Sequence, residues 1–328
     1  MYFRLALLTW LLTASGTTYA QIQPNQTNTD ELRVVWADVD RFWRAYDQLS
    51  TATSTADSLA IIQTGYLNQA TPGLRAYVEA ANATAADFLR AIRTHRAYLS
   101  AIRPATLKIG QQRPAIVRAA RKLKKAYPAV TFPNLYFAIG KFEVGGTQFA
   151  NLLYVGAELK CTTPAPPLSE LHPDLRGSIS PVETISTVCI HEMVHAQQQL
   201  KDSRTNLEGA LREGAAEYAA FRLTGRLGTP QTFAYAKQHE AEVRRQFALE
   251  ADQPIVAKWF LASIDAATKQ PGALGYYIGF RICEAYYKQA RDKKAAFQTI
   301  ITLSNVPELT AQAHKYLAPQ LNKREKRP

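Results

Sequence analysis

Cysteine, methionine and histidine are scarce in this chain, and no tract after the first twenty residues is apolar for long enough to span a membrane. The three cysteines, Cys161, Cys189 and Cys283, are too few for a disulfide scaffold. None has the C-x-x-C spacing of a zinc ribbon or redox motif. Repeats and low-complexity tracts are also missing, which leaves an ordinary globular protein. Acidic charge is in short supply: the formal net charge is +12. The basic residues are dispersed, with local density in Arg118–Lys125 and Lys323–Arg327. That pattern fits solvated faces rather than a nucleic-acid surface, and leaves room for association with an anionic envelope surface.

The first twenty residues read as a secretory signal peptide. Arg4 precedes an apolar run from Leu5 to Ala14, and Thr18-Tyr19-Ala20 offers a cleavage site. An exported protein, periplasmic or extracellular, is therefore expected, with no transmembrane segment.

Of the six histidines, two fall in one motif, His191-Glu192-Met193-Val194-His195. On a helix, positions i and i+4 share a face, so both imidazoles can converge on one ion with Glu192 beside them as a base for water. Ser180-Pro181-Val182-Glu183 reads as a helix start, which predicts a helix from about Pro181 to Leu200. Two histidines do not complete a zinc site. The metzincin spacing would need Gly at 198 and His at 201, where Gln198 and Lys201 stand. Downstream, Thr205-Asn206-Leu207-Glu208 is a second capping box. It opens a helix ending near Gly225 that carries Glu213 and Glu217 on one face.

The pattern His191-Glu192-x-x-His195, seventeen residues (196–212), then Glu213-Gly214-Ala215-Ala216-Glu217 resembles the gluzincin metallopeptidases, the clan of thermolysin and the zinc aminopeptidases. The E-G-x-A-E form is similar to a group of predicted bacterial zinc proteases, some allied to gliding-motility lipoproteins. The resemblance implies that His191, His195 and Glu213 bind Zn²⁺ and that Glu192 is the general base. It further implies that Glu217 orients a ligand histidine, with Glu217 also the alternative third ligand. Arg212 departs from the pattern, since many gluzincins have Asn there. Late in the chain, Gly275-Tyr276-Tyr277-Ile278-Gly279 is similar to a motif of the same group. Tyr276, or alternatively Tyr277, is then the donor that stabilises the oxyanion, with Arg281 a further candidate.

The rest of the chain supplies the frame. Residues 21–128 read as successive helices: a polar lead, then Val34, Val35, Val39, Phe42, Trp43 and Tyr46 at helical spacing, then segments near 56–69, 74–102 and 104–127. Pro104 and Pro114 punctuate them. From Pro128 the residues become β-branched and aromatic: 130–132, 135–139 and 148–155 read as strands, with Val144-Gly145-Gly146 as a hairpin signal. The stretch from Gly146 to Tyr154, with Asn151, resembles in position the edge strand that holds substrate in gluzincins. A Pro-rich loop follows over 162–181, containing His172. Helices are expected over 230–250, 254–267 and from Gly275 to about Leu321.

The fold class expected is α+β, predominantly helical: a signal peptide (1–20), an N-terminal helical region (21–128) and a zincin-like domain (129–328) with a small mixed sheet. The function expected is a secreted zinc metallopeptidase acting on peptides or proteins. The alternative is a non-catalytic zinc-binding or helical envelope interaction protein.

Overall fold

The computed structural model describes residues 32–261 and 270–321. The signal peptide, the polar lead, the second half of the 254–267 segment and the basic tail lie outside the described residues. The chain is predominantly helical around a small mixed sheet. Strand β1 (Val34–Val35) precedes helices α1 (Ala37–Gln48), α2 (Thr55–Gly65), α3 (Pro72–Ala80), α4 (Ala85–Thr94), α5 (Arg96–Thr106) and α6 (Ile109–Ala126). Strands β2 (Asn134–Ala138), β3 (Gly146–Phe149) and β4 (Leu152–Gly156) lead into the short α7 (Ala157–Lys160). Then come α8 (Ile185–Gln197), α9 (Asn206–Thr224), α10 (Pro230–Gln238), α11 (Glu240–Glu250), α12 (Leu274–Gln289), α13 (Lys293–Thr302) and α14 (Val306–Leu321).

The sheet order is β1-β2-β4-β3, with β1, β2 and β4 parallel and β3 antiparallel to β4. Every residue of β2 and β4 is buried, as expected of strands covered on both faces. β3 is the partly exposed edge. Val34 and Val35, expected on a helix, form β1 instead and pair with Leu135 and Tyr136. One hydrophobic cluster takes in Phe42, Trp43 and Tyr98 together with Phe137, Tyr154 and Ile190, so side chains from both sides of position 128 share a core. A second cluster joins α9, α11, α12 and α14.

Several boundaries differ from the sequence reading. The stretch 74–102 is three helices, interrupted by Asn82 at positive φ and by His95, with Thr84 and Asp87 forming a capping box at α4. Pro104 and Pro114, expected as breaks, lie inside α5 and α6. The hairpin turn falls at Ala150-Asn151, where Ala150 takes φ 47°, rather than at 144–146; the expected strand 148–155 is therefore two strands. Ser180 does not cap α8. Ser180 N–H donates to Leu159 and Val182 N–H to Thr162, which holds 180–182 extended, and α8 starts at Ile185 after one 3₁₀ turn. It also ends at Gln197 rather than Leu200. The 230–250 helix is divided at His239, and the described part of 254–267 has only a 3₁₀ turn, Ala257–Trp259.

Two features of this frame follow from close packing and burial. The first is the crossing of α9 and α12. A Cβ on Gly279 would sit 1.7 Å from the Ala210 carbonyl oxygen, and one on Gly214 would sit 2.2 Å from the Gly279 carbonyl carbon. Only paired glycines permit that backbone approach, which carries Tyr276 to the face of α9.

The second is Glu158, fully buried at the head of α7. Its Oε2 accepts the Gly140 N–H at 2.9 Å, while its Oε1 and the Tyr154 hydroxyl have no hydrogen-bond partner among the described residues. Burial pushes its pKa up to about 7 from 4.5, against the pull of the Gly140 and Phe142 N–H groups. The proton is thus held more tightly in the folded state. The resulting stability is full below pH 4.5 and declines as pH rises to about 7. The expected decline across that window is about 3 kcal/mol. Urea unfolding of wild type against Glu158→Gln checks this: the wild type should lose stability relative to the variant as pH rises, and parallel curves would contradict it.

Candidate metal centre

α8 forms because an apolar stripe of Ile185, Val188, Cys189, Ile190, Met193 and Val194 is buried against the core. That burial turns His191 and His195 to the opposite face. α9 is fixed at its start by reciprocal bonds between Thr205 and Glu208 and at its end by Gly225 at φ 77°. It packs antiparallel to α8 and brings Glu213 to the two histidines.

The Nε2 atoms of His191 and His195 stand 3.0 Å apart, and Glu213 Oε2 lies 3.3 Å from the first and 3.1 Å from the second. Zinc held by three such donors at ordinary bond lengths would separate them by about 3.3 Å. The three side chains are 10–13% exposed. Two imidazole nitrogens and a carboxylate oxygen turned inward at this spacing need a cation or protons between them, so the donor set fits zinc. Burial alone would lower the His191 pKa, yet its bonds to Glu213 and Glu217 carry it up to about 10. Burial would raise Glu213, but the neighbouring His195, His191 and Arg212 hold it well below the usual carboxylate range. Protons and a metal therefore compete for this site.

The outward nitrogens are also held. His191 Nδ1 lies 3.4 Å from Glu217 Oε2, and His195 Nδ1 lies 2.8 Å from Gln198 Oε1. Glu217 in turn accepts from the Gly228 N–H at 2.6 Å, and Gln198 donates to the Arg212 carbonyl at 2.8 Å. Both imidazoles are thus set with Nδ1–H outward and Nε2 free for a metal. Glu217 meets the far side of His191, away from Glu213 Oε2. Gln198 escaped the sequence reading because a glutamine three residues after a histidine carries no motif. Its signal is burial, 1% exposure for a polar side chain. We expect Gln198→Ala to weaken zinc binding about 10–100-fold, as read by chelator competition, with the fold retained.

The remaining site residues separate clearly. A Cβ on Gly146 would lie 2.7 Å from Glu192 Oε1, so the base candidate faces the edge strand β3. The Tyr276 ring stacks on His191 with centroids 5.9 Å apart at 12°. Burial, with the charge of Glu213, pushes its pKa well above 10. Tyr277 points away, packing on Phe233 and meeting Arg281 at 3.2 Å. Arg281 pairs with Glu240 and Glu284. Neither lies with the three donors. Arg212 donates to Glu213 Oε1 at 3.1 Å. His172 is exposed beside Asp174. Asn151 sits in the β3–β4 turn, its Oδ1 buried without a hydrogen-bond partner among the described residues. The three cysteines are buried and free.

Fold and site together bring two imidazole nitrogens and a carboxylate oxygen from two neighbouring helices to one point, a group that could hold a metal ion. Residues 176–305 match the model of a family described as predicted Zn-dependent protease (DUF2268). The match takes in the 3₁₀ turn before α8, then α8 through α12 and α13, and hence every donor named above. No curated protein and no solved structure matches the chain.

Proposed function

We propose that this protein is an exported zinc-dependent peptidase of gluzincin type, resembling the predicted proteases allied to gliding-motility lipoproteins. The observation that carries the reading is the convergence of His191, His195 and Glu213 beneath an open sheet edge, with both outward imidazole nitrogens anchored. When bound there, zinc supplies Lewis-acid chemistry, activating water and polarising the scissile carbonyl. Glu192 takes the proton of the attacking water and returns it to the leaving amine. Tyr276, kept protonated by burial, donates to the oxyanion. An extended peptide adds to β3 by backbone pairing, which gives sequence-tolerant binding.

A non-catalytic zinc protein has no use for Glu192, which makes no hydrogen bond or ion pair among the described residues. No described helix is long and apolar enough to cross a membrane. Export rests on residues 1–20, and the basic surface suits an anionic envelope.

The test is hydrolysis of an unfolded protein substrate by the purified chain. Activity should vanish with a zinc chelator and return when zinc is restored. Activity indifferent to chelation would overturn the reading.

A further inference from the structure

The two oxygens of the Glu213 carboxylate have different partners. Oε2 lies 3.3 Å from His191 Nε2 and 3.1 Å from His195 Nε2. Oε1 instead accepts from Arg212 Nη1 at 3.1 Å. The Glu213 side chain is 13% exposed and that of Arg212 34%, so the bond is largely shielded from water. The Tyr276 hydroxyl also meets this carboxylate, from α12. Tyr276 is a neutral donor, however, and the charge-assisted bond comes from Arg212.

This contact is not the ordinary pairing of a helix surface. Consecutive helical residues diverge by about 100° and do not face each other, so ion pairs form at i, i+3 or i, i+4 instead. Glu213 turns toward α8, and the Arg212 side chain turns back along α9 to reach it. Among the described residues Arg212 has no other ion pair. Its backbone is engaged as well. The Arg212 carbonyl accepts from Gln198 Nε2 at 2.8 Å, and Gln198 Oε1 meets His195 Nδ1 at 2.8 Å. Residue 212 is thus joined to Glu213 by its side chain and to His195 through its backbone.

We propose that Arg212 is a positioning residue of the metal centre: by holding Oε1 it leaves Oε2 as the oxygen that Glu213 turns to a divalent cation. Two effects of the guanidinium oppose each other. Its charge repels a dication. Its hydrogen bond fixes the carboxylate in the ligating orientation, and support of that type contributes about 10–100-fold to metal affinity. Partial exposure screens the charge, so the orienting effect dominates. The sign of the change on removing Arg212 separates the two, because a charge acting alone predicts tighter zinc once it is gone. The inference rests on the zinc-binding part of the reading above and not on hydrolysis.

The experiment is a chelator-competition titration of the full chain with zinc, followed by the visible spectrum of the cobalt(II)-loaded protein. Wild type is compared with Arg212→Met and Arg212→Gln, and far-UV circular dichroism checks the fold. Arg212→Met should weaken zinc about 10–100-fold. Arg212→Gln, uncharged but still able to donate to Oε1, should recover part of that loss. In Arg212→Met both carboxylate oxygens are free to turn to the ion. Its cobalt(II) absorption should therefore weaken, as it does when the coordination number rises above four, while Arg212→Gln stays nearer wild type. Arg212→Ala replaces Arg212→Met should the latter fail to fold. Unchanged or tighter zinc binding on removal of the guanidinium overturns the proposal, and so does an equal loss in Arg212→Gln. Wild type that takes up neither zinc nor cobalt(II) removes the metal centre, and this proposal with it. The expected affinity pattern in a protein that hydrolyses no peptide removes the peptidase reading and supports this proposal.

Discussion

Glu192→Gln lowers peptide turnover roughly 10³-fold or more while the protein keeps its zinc and its fold. The expectation follows from where Glu192 stands. It is not one of the three donors, whose Nε2 and Oε2 atoms lie 3.0–3.3 Å apart. It lies beside them, against Gly146 at the sheet edge. Glutamine matches its shape and removes only the capacity to take a proton. The loss should fall on kcat, because the backbone pairing proposed for a substrate along β3 is untouched. The assay is kcat and KM on a peptide cleaved by wild type, with zinc content measured on the same samples. A variant that turns over at the wild-type rate would remove Glu192 from the mechanism.

His195→Ala has a larger expected effect on the metal. It leaves His191 and Glu213 as a two-donor remnant and frees Gln198 from its role. Removing a residue that merely orients a ligand costs about 10–100-fold in affinity, and removing the ligand itself should cost more than about 10³-fold. Zinc and activity should disappear together. The wild-type site has a pH signature as well. With His191 carrying a proton up to about pH 10 in the absence of metal, zinc must displace that proton. Apparent zinc affinity should therefore rise with pH through the neutral range, and the slope should flatten as pH approaches 10. A calorimetric titration in buffers of different ionisation enthalpy counts the released proton directly.

The convergence of His191, His195 and Glu213 was legible because the signals that place them are local. H-E-x-x-H on a helix and a carboxylate on the next helix depend only on the helical period and on the capping signals around Thr205 and Gly225. Helix α9 has its expected bounds for that reason. The N-terminal bound of α8 was misread because Ser180 is recruited by non-local pairing with Leu159. The sheet was only partly legible. β2 and β4 stood out as apolar runs, but β1 is two valines that fit a helical stripe equally well, and only their pairing with Leu135 and Tyr136 makes them a strand. The hairpin turn was displaced because Gly145-Gly146 looks like a turn. Those glycines are instead the place where Glu192 and Lys160 press against the chain. Gln198 belongs to no spacing rule, and its contact with His195 depends on a tertiary juxtaposition.

Tyr276 against Tyr277 is a further case. The sequence left both open, since either could lie on the exposed face of a helix whose orientation was unknown. The Gly214–Gly279 crossing sets that orientation, stacking Tyr276 on His191 and sending Tyr277 toward Phe233.

The most direct measurement is the metal content of the purified full chain, wild type beside His195→Ala. About one zinc per wild-type chain, lost in the variant, is the result expected from a three-donor centre. A wild type without zinc after equilibration with the metal, or a His195→Ala protein that keeps a full equivalent, would contradict it.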